Sequence, residues 1–470
     1  MAMGNLTELR ASVAVLCRAF LIVFAAMALM LAYWQVVQAP MLRSSTYNPR
    51  AHERAKTANP GSLLAADGEP ILQGERTNRG AVLTYADPVA YCHLTGYNSR
   101  TGLQKSLHHA LYGLGRYENP VTELLGGRPQ GCKITLTISA RAQKLAAELM
   151  HRKSGAVVAV DPRDGAVRVM VSAPGYDPRA VLASADAYRR LAQDPDAPEL
   201  NRALLGQYAP GSVLKVFTAA AALDAGLASP EEEFHCDGEV GIGGTTIRCR
   251  RQSGHGELTF AEAFADSCNV VFGRLGAELG PEGLADYAER FHLLAHPELP
   301  LPGKDGKMAA MDGADAEAQA AEAGFGQGAT LVSPAQIARM AATIANRGEV
   351  PKLRLVQSIT RGDGAPLYRM RSETLGRAVS ASTAETVTEM MVQTVDTGTG
   401  RRARLGGLQV AGKTGSAQNP AGPAHAWFVG FAPADAPEAV VAVVIEHAGS
   451  GGEEAAPLAR RVLEVLLEGR

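Results

Sequence analysis

The chain has no run of basic residues and no basic patch interleaved with aromatics, and its formal net charge is only −2. That excludes a protein that holds nucleic acid by broad electrostatics. It also has no internal repeat and no low-complexity tract. Charged residues make up 20% and hydrophobic ones 46%, which excludes a disordered chain and leaves enough apolar side chains for a sizeable core. At 470 residues, two or three domains are expected. Cysteine is sparse, with six residues: Cys17, Cys92, Cys132, Cys236, Cys249 and Cys268.

A long hydrophobic run is present. Every residue from Ala19 to Trp34 is apolar, and the run extends from Val13 to Val37 when Arg18 is allowed to snorkel. Roughly 20 such residues cross a bilayer as a helix. Tyr33 and Trp34 stand where an interfacial aromatic anchor belongs. A cleaved signal cut near Ala39 is the rival, but its apolar core is usually about 7–15 residues. A retained anchor over 13–37 is expected. Charge does not give the orientation, because Arg10 precedes the span, Arg18 lies near its start, and Arg43, Arg50, Arg54 and Lys56 follow it. Long C-terminal domains translocate largely regardless of charge.

The polar stretch 38–60 reads as a juxtamembrane linker. Residues 61–138 read as a small α+β module of short apolar runs broken by Gly, Pro and Asn. A helix is predicted over Ala140–Lys153, then a hairpin of Ala156–Val160 and Ala166–Ser172 around Asp161-Pro-Arg-Asp-Gly165. Two further strands, "AWFVGFAPA" and "AVVAVVIEHA", precede a last amphipathic helix carrying Leu458, Val462, Val465 and Leu466. Between them lies a helical middle, including a helix after Ser333-Pro334 that stops before Gly348. A sheet built from both ends of a domain, with helices inserted, is an α+β design.

Three short motifs carry chemistry. In "YAPGSVLKVF", Ser212 and Lys215 share a helix face at i and i+3, behind a Pro-Gly break. The helix N-terminus there can stabilise an oxyanion, and a buried lysine can take the serine proton. Alone, the pattern is more often a capping serine followed by a surface lysine. In "DSCNVVF", Ser267 and Asn269 follow a helix opened by the Thr259/Glu262 capping box. A hydroxyl and a carboxamide there can relay a proton and hold an amide. In "VAGKTGSAQ", Lys413-Thr414-Gly415-Ser416 follows a strand-like alternation over Leu408–Ala411. The same string satisfies a phosphate-loop expression with Gly407. It lies in a β-rich run with no helix after it, so that match is accidental.

In this order, S-x-x-K, S-x-N and K-T-G are the motif set of penicillin-binding proteins and class A β-lactamases. The sequence resembles a monofunctional (class B) penicillin-binding protein, a peptidoglycan D,D-transpeptidase. "LNRALLGQYAPGSVLKVFT" and "GFGQGATLVSPAQIARMAATIANRG" resemble that family's surroundings of the nucleophile and of the helix before the third motif. The anchor and "YWQVVQAP" are similar to the cell-division and related subgroup. The chain departs from the family at "PGSLLAADG", where an Arg-Gly pair is usual, and at Ser416, where threonine is commoner.

The resemblance implies a penicillin-binding transpeptidase fold over 139–470, on a 61–138 pedestal, with a cytoplasmic 1–12 and the bulk outside the cytoplasmic membrane. It implies Ser212 as nucleophile, Lys215 as its base, and Ser267 as proton relay with Asn269 orienting the substrate. Lys413 and Thr414 would bind the terminal carboxylate, with Gly415 leaving room and the N–H groups of Ser212 and Ser416 forming the oxyanion hole. Stem peptides are the implied substrate, β-lactams the inhibitors, and a membrane-embedded glycosyltransferase a partner; no metal or organic cofactor is needed. The rivals are a serine β-lactamase or D,D-carboxypeptidase, a β-lactam sensor, and a non-catalytic scaffold.

The cysteines leave two pairings open, Cys236–Cys249 and Cys92–Cys132. The first would close a Gly-rich loop and contribute roughly 3 kcal/mol as a disulfide. A metal clip is its rival, because His235 and His255 flank the pair, but the spacing matches no standard zinc pattern. For an exported domain, the disulfide or two free thiols is the expectation.

Overall fold

A computed structural model describes residues 2–38, 49–78, 80–119, 121, 125–308, 311–419 and 422–468. An α-helix, Ala2–Ala32, runs into a π-helical end, Tyr33–Val37. Within it Arg10–Val37 has a mean hydropathy of 2.5 and is long enough to cross a membrane. Residues 39–48 of the expected linker lie outside the described residues. The rest of it is not linker: Pro49–Thr57 is a helix, and Ala55 and Ala58 are buried against the pedestal.

The pedestal sheet has six strands, in the order Pro366–Arg369, Val356–Thr360, Lys133–Leu136, Ser62–Leu64, Pro70–Thr77, Gly80–Tyr85. Its first two strands come from the second half of the chain, which corrects the expected boundary at 138. Val356–Thr360 pairs antiparallel with Lys133–Leu136, so Ile359 shields Ile134 from water. A three-residue strand such as Ser62–Leu64 is too short to stand alone. It gains its ladder from partners on both sides.

The second sheet runs Ala411–Asn419, Gly422–Ala432, Ala439–Ile445, Gly155–Val160, Val167–Ala173, all antiparallel. Both ends of the domain thus build one sheet, as the patterning implies. The unbroken apolar runs follow from cover on both faces. Ala156, Val158 and Val160 share a core with Ile337 and Ala341 of the helix Pro334–Ala345, whereas Val157 and Ala159 share one with Leu458 and Val462 of the helix Ala456–Leu467. Each fully buried Val or Leu contributes about 1.5–3 kcal/mol relative to exposure.

Helices fill the space before the third motif. Ser333 caps Pro334–Ala345 in a reciprocal box with Gln336. A small insert of four short strands, Glu233–Cys236 with Gly256–Thr259 and Glu239–Ile242 with Thr245–Arg248, precedes the Ser267 loop.

Candidate active site

Ser212 lies in a 3-10 turn, Gly211–Leu214, that hands over to the α-helix Lys215–Asp224. The helix expected behind the Pro-Gly break is therefore a tighter turn first, then α. Gly211 has φ 55°, a left-handed conformation. Its N–H donates to Gly326 O at 2.9 Å. A Cβ on Gly326 would stand 2.0 Å from Gly211 O, so "GFGQG" supplies the backbone contact that holds the turn. Upstream, Tyr208 exchanges backbone hydrogen bonds with Val332, and its hydroxyl donates to Glu446 Oε1 at 2.6 Å. Trp427 Nε1 donates to Ala209 O at 3.1 Å. The nucleophile segment is thus fixed to the sheet on one side and to the helical layer on the other.

Lys215 is fully buried. Its Nζ donates to Ser267 O at 2.7 Å and to Asn269 Oδ1 at 2.8 Å, with Ser267 Oγ at 3.2 Å. Burial pulls its pKa down to about 7, against the opposing influence of the Cys268 and Cys249 thiols. Ser267 is left-handed, φ 62°, between the helices Phe260–Ala265 and Asn269–Arg290, and this kink turns both its carbonyl and its hydroxyl to Lys215. Asn269 Nδ2 donates to Arg248 O at 2.9 Å. Among the described residues the Ser212 hydroxyl forms no hydrogen bond. It faces the cleft free.

The third motif lies within a strand, Ala411–Asn419, not after one. Alternation along it sends Thr414, Ser416 and Gln418 to a cleft of about 800 Å³ that also holds Ser212, Ser267 and Asn269. Gly415 permits the close approach: a Cβ there would meet Val213 N at 3.2 Å and Trp427 Cβ at 3.1 Å. Lys413 takes the opposite phase. It is fully buried, its Nζ stands 3.4 Å from Thr414 O and lies 5.6 Å from the Phe264 ring centroid. Burial first, and the Lys215 charge second, hold its pKa well below the usual lysine range. Lys413 is thus enclosed beside Lys215, next to Thr414 of the cleft.

The cleft contains groups that motif reading missed: Thr399, Arg401 and Arg402 on one side, Arg248 and Arg250 on the other, and Gln327. Thr399 Oγ1 is 2.6 Å from Thr414 Oγ1. The visible signal was "TGTGRRA", a Gly-rich turn with paired arginines after a helix. Asp266 and Glu453 line the same cleft, and Arg402 is ion-paired with Glu453.

The penicillin-binding protein transpeptidase domain model matches residues 155–464. The chain belongs to that family. It is a class B penicillin-binding protein. Over 92% of this chain it is 32% identical to the peptidoglycan D,D-transpeptidase PbpA of Mycolicibacterium smegmatis, covering 94% of that protein. It is 30% identical to MrdA of Haemophilus influenzae, over 74% of this chain and 59% of that one. Among solved structures, a ceftriaxone acyl-enzyme complex of penicillin-binding protein A from M. tuberculosis superposes with a TM-score of 0.82 at 30% identity. That match covers 88% of this chain and all of that one.

In this penicillin-binding protein the cysteines are thiols. Cys92 and Cys132 are buried and unbonded to each other. Cys236 Sγ and Cys249 Sγ are 3.7 Å apart, well beyond the roughly 2.05 Å of a disulfide. Two more residues join them. Cys268, inside the second motif, places its Sγ 3.5 Å from Cys249 Sγ, and His255 Nδ1 is 3.5 Å from Cys236 Sγ. His235, the other flanking histidine, is exposed and held by Glu257 and Asp237.

Proposed function

We propose that this class B penicillin-binding protein cross-links stem peptides as a D,D-transpeptidase, with Ser212 Oγ as the nucleophile and neutral Lys215 as its base. The observation that carries the reading is the set of acceptors around the buried Lys215 Nζ: Ser267 O, Asn269 Oδ1 and Ser267 Oγ. Burial lowers its pKa to about 7, so the neutral amine that takes the Ser212 proton is populated near neutrality.

Ser212 Oγ then bonds to the penultimate D-Ala carbonyl carbon, and the proton moves to Lys215. Backbone N–H groups of Ser212 and Ser416 receive the oxyanion. As the C–N bond breaks, Ser267 Oγ passes its proton to the leaving D-Ala amine and takes the one held by Lys215 Nζ, 3.2 Å away. The hydroxyls of Thr414 and Ser416, with Arg401 and Arg402 nearby, take the terminal carboxylate, while Lys413 contributes positive charge from behind the wall. An amine of a neighbouring stem peptide resolves the ester and regenerates Ser212.

A donor peptide ending in D-Ala-D-Ala, given with a labelled D-amino acid as acceptor, should release D-Ala and carry the label at its new C-terminus. If only the hydrolysed tetrapeptide formed at saturating acceptor, the enzyme would be a carboxypeptidase and the transpeptidase reading would fall.

The protein is anchored by its N-terminal helix, with its bulk on the extracytoplasmic side, where lipid-linked peptidoglycan is exposed. A membrane-embedded glycosyltransferase that supplies nascent strands is the matching partner. An alkaline phosphatase fusion after residue 60 should be active. Activity of a cytoplasmic reporter alone at that junction would reverse the orientation.

A further inference from the structure

We propose that Cys236, Cys249, His255 and Cys268 bind a structural Zn²⁺ that positions the loop carrying Ser267 and Asn269. The four donor atoms come from three segments of the insert and from the middle of the second motif, yet all lie within 4.8 Å of one another. A tetrahedron with Zn–S of about 2.3 Å and Zn–N of about 2.0 Å has S···S edges of about 3.8 Å and S···N edges of about 3.5 Å. The observed separations are 3.7 Å for Cys236–Cys249, 3.5 Å for Cys249–Cys268 and 3.5 Å for Cys236–His255. A disulfide would use two of these groups and leave the other two without a reason to converge. Three thiolates and one imidazole complete a closed zinc site.

The backbone is shaped for it. Gly238 and Gly254 both have positive φ, and a Cβ on either would stand 2.2 Å from a carbonyl oxygen across the loop. His255 N donates to Cys236 O at 2.9 Å, and Cys249 N to Gly238 O at 2.7 Å. Asn269 N donates to Cys249 Sγ at 3.1 Å, the kind of N–H···S bond that orients a ligating sulfur. The insert has four short strands and few large buried side chains, so a metal supplies the cohesion that a core would otherwise give.

Binding forms three Zn–S bonds and one Zn–N bond and releases the thiol protons to solvent. Its consequence for the reaction is geometric. Cys268 stands between Ser267 and Asn269, and Asn269 Nδ2 is tied to Arg248, the neighbour of Cys249. The metal thus fixes both acceptors of Lys215 Nζ from outside the cleft. It touches no substrate.

Full-length protein in detergent, purified without chelator, should contain about one zinc per chain. Replacing zinc with cobalt should give the thiolate charge-transfer band and the strong visible bands of a tetrahedral sulfur site. Stripping the metal should slow acylation by a chromogenic penicillin about tenfold or more, since a misplacement of about 1 Å costs ~100-fold. Added zinc should restore the rate. His255→Ala should lose zinc and rate together, His255→Cys should keep both, and His235→Ala should change neither. Substoichiometric zinc, or a mass two hydrogens short under non-reducing conditions, would overturn the site. Full acylation by the stripped protein would overturn the positioning role.

Discussion

Ser212→Ala will take up no penicillin, and intact-mass analysis of the variant will show no adduct at any residue. In the unsubstituted protein the single adduct will map to Ser212. Turnover with a donor peptide should fall by about 10⁶-fold, the scale on which removal of an activated serine acts when nucleophile and base work as a unit. The variant should remain folded. The Ser212 hydroxyl makes no hydrogen bond among the described residues and stands open to the cleft, so its loss leaves no buried group unpaired. Substitutions of that kind usually change stability by less than about 0.5 kcal/mol. Loss of the adduct together with an unchanged melting temperature is therefore the expected pair of results. An adduct on another serine would displace Ser212 from its role.

The parts of this structure that the sequence made legible are those set by local rules. The Ser333–Gln336 capping box, the hairpin around Asp161–Gly165 and the last helix follow from spacing within a dozen residues. The S-x-x-K pair was legible for the same reason, being one helical turn. What was not legible depends on partners far along the chain. Val356–Thr360 completes the pedestal sheet by pairing with Lys133–Leu136, and nothing near either segment announces the other. The burial of Lys413 was not legible either, because it depends on the strand running on through Asn419, which encloses the lysine and sets Thr414 at the cleft. The Cys236–Cys249 pair was read as a local loop with His255 on its flank, and Cys268 joined the group only when the Ser267 loop folded against it.

The two buried lysines provide the second large effect. Lys215→Arg should lower acylation by about 10²–10⁴-fold, the usual share of a general base, because a guanidinium does not give up its proton. Since Lys215 is fully enclosed, a larger head group also strains its surroundings. Lys215→Met, close in volume and uncharged, separates the two effects and should show a comparable loss. With the unsubstituted enzyme, acylation should rise with pH through about 7 as Lys215 loses its proton, and the Lys215→Met rate should lack that rise. The ammonium at Lys215 helps hold the Lys413 pKa down, whereas Lys215 itself is governed by its burial and by the Cys268 and Cys249 thiols. Lys413→Met should therefore lower the acylation rate while leaving the midpoint of the rise near that of the unsubstituted enzyme. Stopped-flow rates with a chromogenic penicillin across that range would test the assignment. A midpoint displaced in Lys413→Met would make that lysine part of the base's titration, and a retained pH-dependent rate in Lys215→Met would give the base to another group.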